Sequence, residues 1–237
     1  MITVRGIHLL DSQILADGHR GVEVILTTVL LAVSFLLILH YVKQKDTELY
    51  LPAVPRLYAV ILYFGTFMFL LSGLYSFSDT TVFAVLLLYL SVMSFTDHYT
   101  GLVYPAFSYF ILVTGIILWV LRYLDDCGNT AVLEYRDQLI GMIIYYVVLY
   151  LLQKGKVFSS GDTKVYLCAA LFLTFQESDY SYILRWTANH VISTAVFLII
   201  NVRHIDLRHF RLLTPRPFIP SISVSTILIL LLFAKHG

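Results

Sequence analysis

Long apolar stretches alternate with short polar ones along this chain, and the apolar stretches set its architecture. Continuous apolar runs fall at 22–42, 57–77, 80–95, 103–123, 138–153, 163–175, 183–202 and 219–234. Most approach the ~20 residues that an α-helix needs to cross the hydrocarbon core of a bilayer. A lipid-exposed segment must satisfy its backbone hydrogen bonds within itself, so each run predicts a helix. The pattern therefore predicts an all-α polytopic membrane protein with about eight transmembrane helices. The first run is too long for the core of a secretory signal and lacks a small-residue cleavage site. It is expected to be retained as the first span, behind a polar arm at 1–21. The run at 163–175 is the shortest and predicts a short helix in thinned or protein-lined surroundings.

Composition strengthens this picture. Hydrophobic residues make up 59% of the 237 positions and charged ones 13%, against roughly 25% charged in an ordinary soluble domain. A formal net charge of +1 gives no general attraction to nucleic acid. Two cysteines, Cys127 in a polar loop and Cys168 in an apolar run, provide neither a disulfide framework nor a cysteine zinc site, and no metal is expected.

The cations set an orientation. With eight crossings, one face carries Lys43, Lys45, Arg56, Lys154, Lys156, Lys164, Arg203, Arg208, Arg211 and Arg216, leaving six of the 16 basic residues for the other. The second face holds Asp125, Asp126, Glu134, Asp137, Glu177 and Asp179. An excess of lysine and arginine marks the cytoplasmic side, so both termini are expected outside. If the run at 163–175 did not cross, the basic residues would divide evenly. The bias therefore argues that it does.

Two acids stand apart from the loop charges. Asp97 ends the third run in Ser94-Phe95-Thr96-Asp97-His98-Tyr99-Thr100-Gly101-Leu102-Val103-Tyr104-Pro105, and Asp162 opens the sixth in Ser159-Ser160-Gly161-Asp162-Thr163-Lys164. An even number of runs separates them, so both lie on the cytoplasmic face, at the edges of apolar helices. A carboxylate at that depth faces a bundle interior or a wet cavity. Two such groups sharing a proton are what peptide hydrolysis by aspartates needs. Gly161 suits close backbone approach or free bending beside the second acid. A plainer role is also open to Asp162, as a cap at the N-terminus of the sixth helix with help from Ser159 or Ser160. Helix ends separate the two acids. The C-terminal end of the third helix disfavours charge on Asp97, whereas the N-terminal end of the sixth favours it on Asp162, so a shared proton is expected on Asp97.

Asp-x-x-Thr-Gly-x-Val-Tyr at 97–104, followed by Ser-Gly-Asp-x-Lys at 160–164, resembles the paired motifs of the type IV prepilin and archaeal preflagellin peptidases, the A24 intramembrane aspartic peptidases. Arg216-Pro217-Phe218-Ile219-Pro220 resembles the Pro-Phe-x-Pro element that often opens that family's last helix. The resemblance implies a six-helix peptidase core at 80–237, with 1–79 adding the arm and two further helices. It also implies an Asp97/Asp162 dyad supported by Thr100, Gly101, Gly161, Lys164, Pro217, Phe218 and Pro220. The implied substrate is a prepilin or pseudopilin whose short basic leader precedes an apolar helix. Hydrolysis by this dyad uses no cofactor. S-adenosylmethionine enters only if an N-methyltransferase activity is retained, and the four-cysteine segment of many larger family members is absent here. Ser159 stands where the family has the first glycine of Gly-x-Gly-Asp, and Pro105 follows the first motif in place of asparagine or Ile-Pro.

Presenilin-type proteases share the Gly-x-Gly-Asp logic, but have tyrosine before the first aspartate and a Pro-Ala-Leu element near the last helix. Here Thr96 and Pro-Phe-Ile-Pro occupy those places. A non-enzymatic assembly protein or a transporter is the remaining alternative, although matched halves with mid-membrane acids are not visible. Lys164 either biases the dyad or snorkels toward lipid phosphates. The loop with Arg203, His204, Arg208, His209 and Arg211 is expected to face anionic lipid. His190, beside Asn189, is expected in helix packing, His98 as a neighbour tuning Asp97, and Tyr145, Tyr146 and Tyr150 in packing or an interfacial belt. The stretch 124–137 is expected to be a solvated connector.

Overall fold

The computed structural model describes residues 3–45, 55–125, 131–176, 181–206, 211–212 and 216–234. Among them the chain forms α1 (Thr3–Lys45), α2 (Leu57–Leu74), α3 (Phe77–Thr100), α4 (Pro105–Asp125), α5 (Ala131–Lys154), α6 (Ser160–Leu173), α7 (Tyr182–Asn201) and α8 (Ile219–Leu232). A short 3₁₀ turn at Val202–His204 leads into a two-residue antiparallel ladder, β1 (Ile205–Asp206) with β2 (Arg211–Leu212), in the loop before α8. The all-α polytopic architecture holds: six of the helices are long and apolar enough to cross a membrane.

Two boundaries differ from the sequence pattern for identifiable reasons. The polar arm is not a separate segment, because α1 runs unbroken from Thr3, and its apolar part is Arg20–Gln44. No proline interrupts this stretch, and a helix nucleated by the apolar segment propagates through polar residues at little cost. The connector expected at 124–137 is mostly helical, since α4 extends to Asp125 and α5 begins at Ala131. The Trp119 indole donates to Gln138 Oε1 at 3.1 Å, and Tyr135 packs edge-on against Trp119 and Tyr123, which holds these added turns together. Asp126, Cys127, Glu177, Asp179, Arg208 and His209 lie outside the described residues.

The short sixth helix is the centre of the bundle. At 14 residues α6 spans about 21 Å, too little to cross a bilayer unaided. It does not have to meet lipid, because it packs against α3, α4, α5, α7 and α8 and buries Val165, Tyr166, Cys168, Ala169, Ala170, Leu171, Phe172 and Leu173. Gly115 of α4 permits this closeness, since a Cβ there would lie 2.7 Å from the Leu171 side chain. The carbonyls at the C-terminal end of α6 would be orphaned in an apolar interior. Arg185 Nη1 donates to Leu173 O (2.8 Å) and Gln176 O (2.6 Å), and Arg122 Nη1 donates to Phe175 O (2.9 Å). Two cations thus sit where the helix dipole favours them. Gln176 Nε2 reaches Tyr75 Oη at 2.7 Å and Ile229 O at 3.2 Å, tying the ends of α6 and α8 together.

Several polar side chains inside the bundle are matched across helix seams. Asn189 of α7 bonds to Ser225 and to Thr226 of α8, and Ser94 of α3 to Ser223 of α8. His190 accepts or donates a 2.7 Å bond with Tyr145 and packs among Phe158 and Tyr166. Asn189 and His190 therefore serve helix packing, as expected.

Candidate active site

Three helix ends meet at one end of the bundle. The first is the last turn of α3. Gly101, at φ 67°, takes the left-handed conformation that stops the helix, and its N–H returns to Asp97 O at 2.9 Å. The Thr100 hydroxyl donates to Thr96 O (2.6 Å) and accepts from Leu102 N (3.2 Å). The Thr-Gly pair is thus a terminator placed one turn beyond Asp97, leaving that aspartate buried at 9% exposure.

The second end is the first turn of α8. Phe218 anchors it, its ring 4.9 Å from Phe197 and 5.9 Å from Phe158. Pro220 has no N–H and preforms the turn. Ile219 keeps its N–H, which helix geometry leaves without an internal partner, and donates it to Asp97 Oδ2 at 3.0 Å. Asp97 therefore lies in the last turn of α3 and at the same time caps α8.

The third end is the start of α6, where Ser159 and Asp162 form a capping box. Asp162 N donates to Ser159 Oγ (3.1 Å), and Ser159 N donates to Asp162 Oδ2 (2.9 Å). Gly161 lies within the first turn, and a Cβ on it would fall 2.6 Å from Val103 Cγ2. Its value lies in close approach. It lets the loop that follows α3 lie against the N-terminus of α6, bringing the two aspartate-bearing segments together.

Between these ends is a cleft of about 390 Å³ lined by Asp97, Asp162, His98, Ser159, Gly101, Arg216, Pro217 and Phe218. Both carboxyls line this one cleft. His98 is exposed, whereas Asp162 is half-buried. Arg216 Nη2 lies 3.0 Å from His204 Nε2, which holds a guanidinium at the rim. Chemically this is a pocket with two carboxyls in its lining, each accepting from a backbone donor through Oδ2, and with a cation at its edge.

Of the residues singled out from sequence, Asp97, Asp162, Gly101, Pro217 and Phe218 come together in this cleft. Thr100 and Gly161 shape its walls. Lys164 does not line it. Its ammonium lies on another face of α6, 5.4 Å from the Tyr109 ring centroid. Pro220 lines a separate groove of about 490 Å³ between α2, α3 and α8, which shares His98 with the cleft. Ser159 takes the capping role that the sequence leaves open to it, and Arg216, a loop cation at the head of the Pro-Phe-Ile-Pro element, stands at the rim. The signal for Ser159 was the Ser-x-x-Asp spacing at 159–162, a capping-box pattern ahead of an apolar run. One premise of the expected difference between the aspartates changes, because Asp97 also accepts a hydrogen bond at a helix N-terminus, that of α8. Comparison with known protein families, with curated proteins and with solved structures finds no match for this chain.

Proposed function

We propose that this protein is an intramembrane aspartic endopeptidase that removes the short basic leader from prepilin-like precursors at the cytoplasmic membrane face. The observation that carries this reading is the convergence of Asp97 and Asp162, from separate helices, on one cleft. In the proposed reaction a water lies between the two carboxyl groups. The ionised carboxylate takes a proton from the water as it attacks the scissile carbonyl, and the protonated one donates to the carbonyl oxygen. Collapse of the tetrahedral species releases the leader and the new amino terminus. Arg216 at the rim repels basic residues from that side, so a basic leader enters past the two carboxylates.

The same proposal accounts for the groove beside the cleft. A prepilin-like substrate has an apolar helix directly after its leader. The groove between α2, α3 and α8 is lined by Phe35, Val60, Tyr63, Phe67, Ser94 and Ser223, and it meets the cleft at His98. A substrate helix seated there would present its N-terminal junction to the aspartates. The excess of basic residues at this end of the bundle supports a cytoplasmic site.

A second reading has its own observation. Both aspartates already accept backbone hydrogen bonds at helix N-termini, which a non-enzymatic membrane assembly protein would also use. Asparagine at either position keeps an oxygen acceptor and loses proton transfer. Co-expression with a prepilin-like substrate, with the product N-terminus sequenced for wild type and for the two Asn variants, separates the readings.

A further inference from the structure

The opposite face of α6 carries a second cleft, unrelated to the aspartates. Ser160, Thr163, Lys164 and Leu167 recur at helical spacing and form one stripe of the helix. They floor a cavity of about 390 Å³ walled by α4 and α5. Its shape has a clear origin. The ring and hydrogen-bond contacts between α4 and α5 join Trp119 and Tyr123 to Tyr135 and Gln138, at the far end of both helices. Toward the end that carries Lys164 the two helices stand apart over α6, with Tyr109 and Leu112 on one side and Tyr146 and Tyr150 on the other.

The chemistry of the lining is one-sided. Lys164 is half-buried in the cleft and, among the described residues, forms no ion pair with a carboxylate; its ammonium lies over the Tyr109 ring. Lys154 lies over the ring of Tyr150, a lining residue, at 5.4 Å, which adds a second cation nearby. Gln153, Ser160 and tyrosine side chains supply neutral polar groups near these cations, and Leu112, Leu167 and Cys168 make the deeper wall apolar. Among the described residues no acid lines the cavity. The outer faces of both walls, including Phe110, Val113, Ile143 and Val147, are exposed and apolar, as lipid-facing surface would be.

We propose that this cleft is a binding site for a phosphate-bearing anion held by Lys164, supplied by an acidic phospholipid headgroup or as free phosphate. A lipid would place its phosphate at the Lys164 ammonium and its chains in the gap between α4 and α5. Basic pockets between helices at a membrane edge suit such headgroups, and a cation already sheltered from water on an aromatic ring strengthens the attraction.

The test uses the full-length protein, delipidated in neutral detergent. Native mass spectrometry measures retention of phosphatidylglycerol and of phosphatidylcholine, and a parallel thermal-shift series adds inorganic phosphate alone. The wild type should retain phosphatidylglycerol in preference to phosphatidylcholine. Retention should fall about fivefold in Lys164→Gln, the factor expected for one cation near an anionic headgroup, and should survive in Lys164→Arg. Leu112→Trp fills the cleft without altering a charge and should also lower retention, which keeps the test open if the glutamine variant folds poorly. Asp162→Asn should bind lipid as the wild type does, so failure of the peptidase reading leaves this result untouched. Stabilisation by inorganic phosphate that disappears in Lys164→Gln, without lipid retention, would identify free phosphate as the source. Equal phosphatidylglycerol retention by wild type, Lys164→Gln and Leu112→Trp, with no phosphate effect, would overturn the proposal.

Discussion

The main-chain N–H of Ile219 donates to Asp97 Oδ2 at 3.0 Å, joining the last turn of α3 to the first turn of α8. This bond gives the Pro-Phe-Ile-Pro element a physical role. Proline at position 220 removes one donor, Phe218 anchors the turn, and the Ile219 N–H is aimed at the carboxylate. The two flanking residues, Pro217 and Phe218, line the cleft itself. Motif, helix start and acid position are thus one unit.

Close approach at Gly161 is the most sensitive steric point of the site. In Gly161→Ala the new methyl meets Val103 at 2.6 Å, an overlap that costs roughly 1–3 kcal/mol or forces the loop away from α6. The variant should show a lower Tm in detergent and reduced cleavage. Val103→Ala added to it should recover much of both losses, more than the two single effects predict by addition. A double variant no better than Gly161→Ala would show that the contact with Val103 is not what glycine serves.

Ser159 works as an N-cap, which sets the order of its variants. Ser159→Ala removes the oxygen that accepts from Asp162 N and should cost about 1 kcal/mol, whereas Ser159→Gly should cost a few tenths. Thermal unfolding of the three proteins should rank Ser above Gly above Ala. Cleavage should persist in Ser159→Gly, because Asp162 stays in the first turn of α6. The reverse ranking of Gly and Ala would contradict the capping role.

Arg185 secures the far end of α6. Arg185→Met leaves Leu173 O and Gln176 O without the donor they share, and the loss of stability should be about 2–4 kcal/mol. The measurement is the Tm of detergent-purified protein, alongside the fraction recovered as a single species. An unchanged Tm would mean that the C-terminal carbonyls of α6 find other partners.

Much of this architecture is legible in the sequence, for a physical reason. Apolar runs near the length of a bilayer leave the backbone no alternative to helix, so the eight helices fall where the runs do. Where polar residues can join a helix without cost the pattern is silent, as at the start of α1, the end of α4 and the start of α5. The burial of α6 was only partly visible. Its apolar run is short, and the residues that protect its end, Arg122 and Arg185, lie on other helices and carry charges that read as loop or edge residues. At the site, Asp97 and Asp162 are marked by charge inside apolar context. The direction of Lys164 was not readable, because a spacing of two residues from Asp162 places it on another face of the helix only once the helix start is known. The second helix end at Asp97 was equally hidden, since the Ile219 donor comes from the far end of the chain.

The central claim is that Asp97 and Asp162 act together as a proteolytic dyad, and the two single Asn variants test it most directly. Each protein should be co-expressed with a prepilin-like precursor, checked for normal abundance in the membrane, and its product analysed by N-terminal sequencing. Wild type should yield a precursor shortened at the leader junction. Asp97→Asn and Asp162→Asn should each leave the precursor intact, because neither side chain transfers a proton, while the retained amide oxygen still accepts from Ile219 N or Ser159 N. Full leader removal by either variant, at normal membrane abundance, would contradict the dyad.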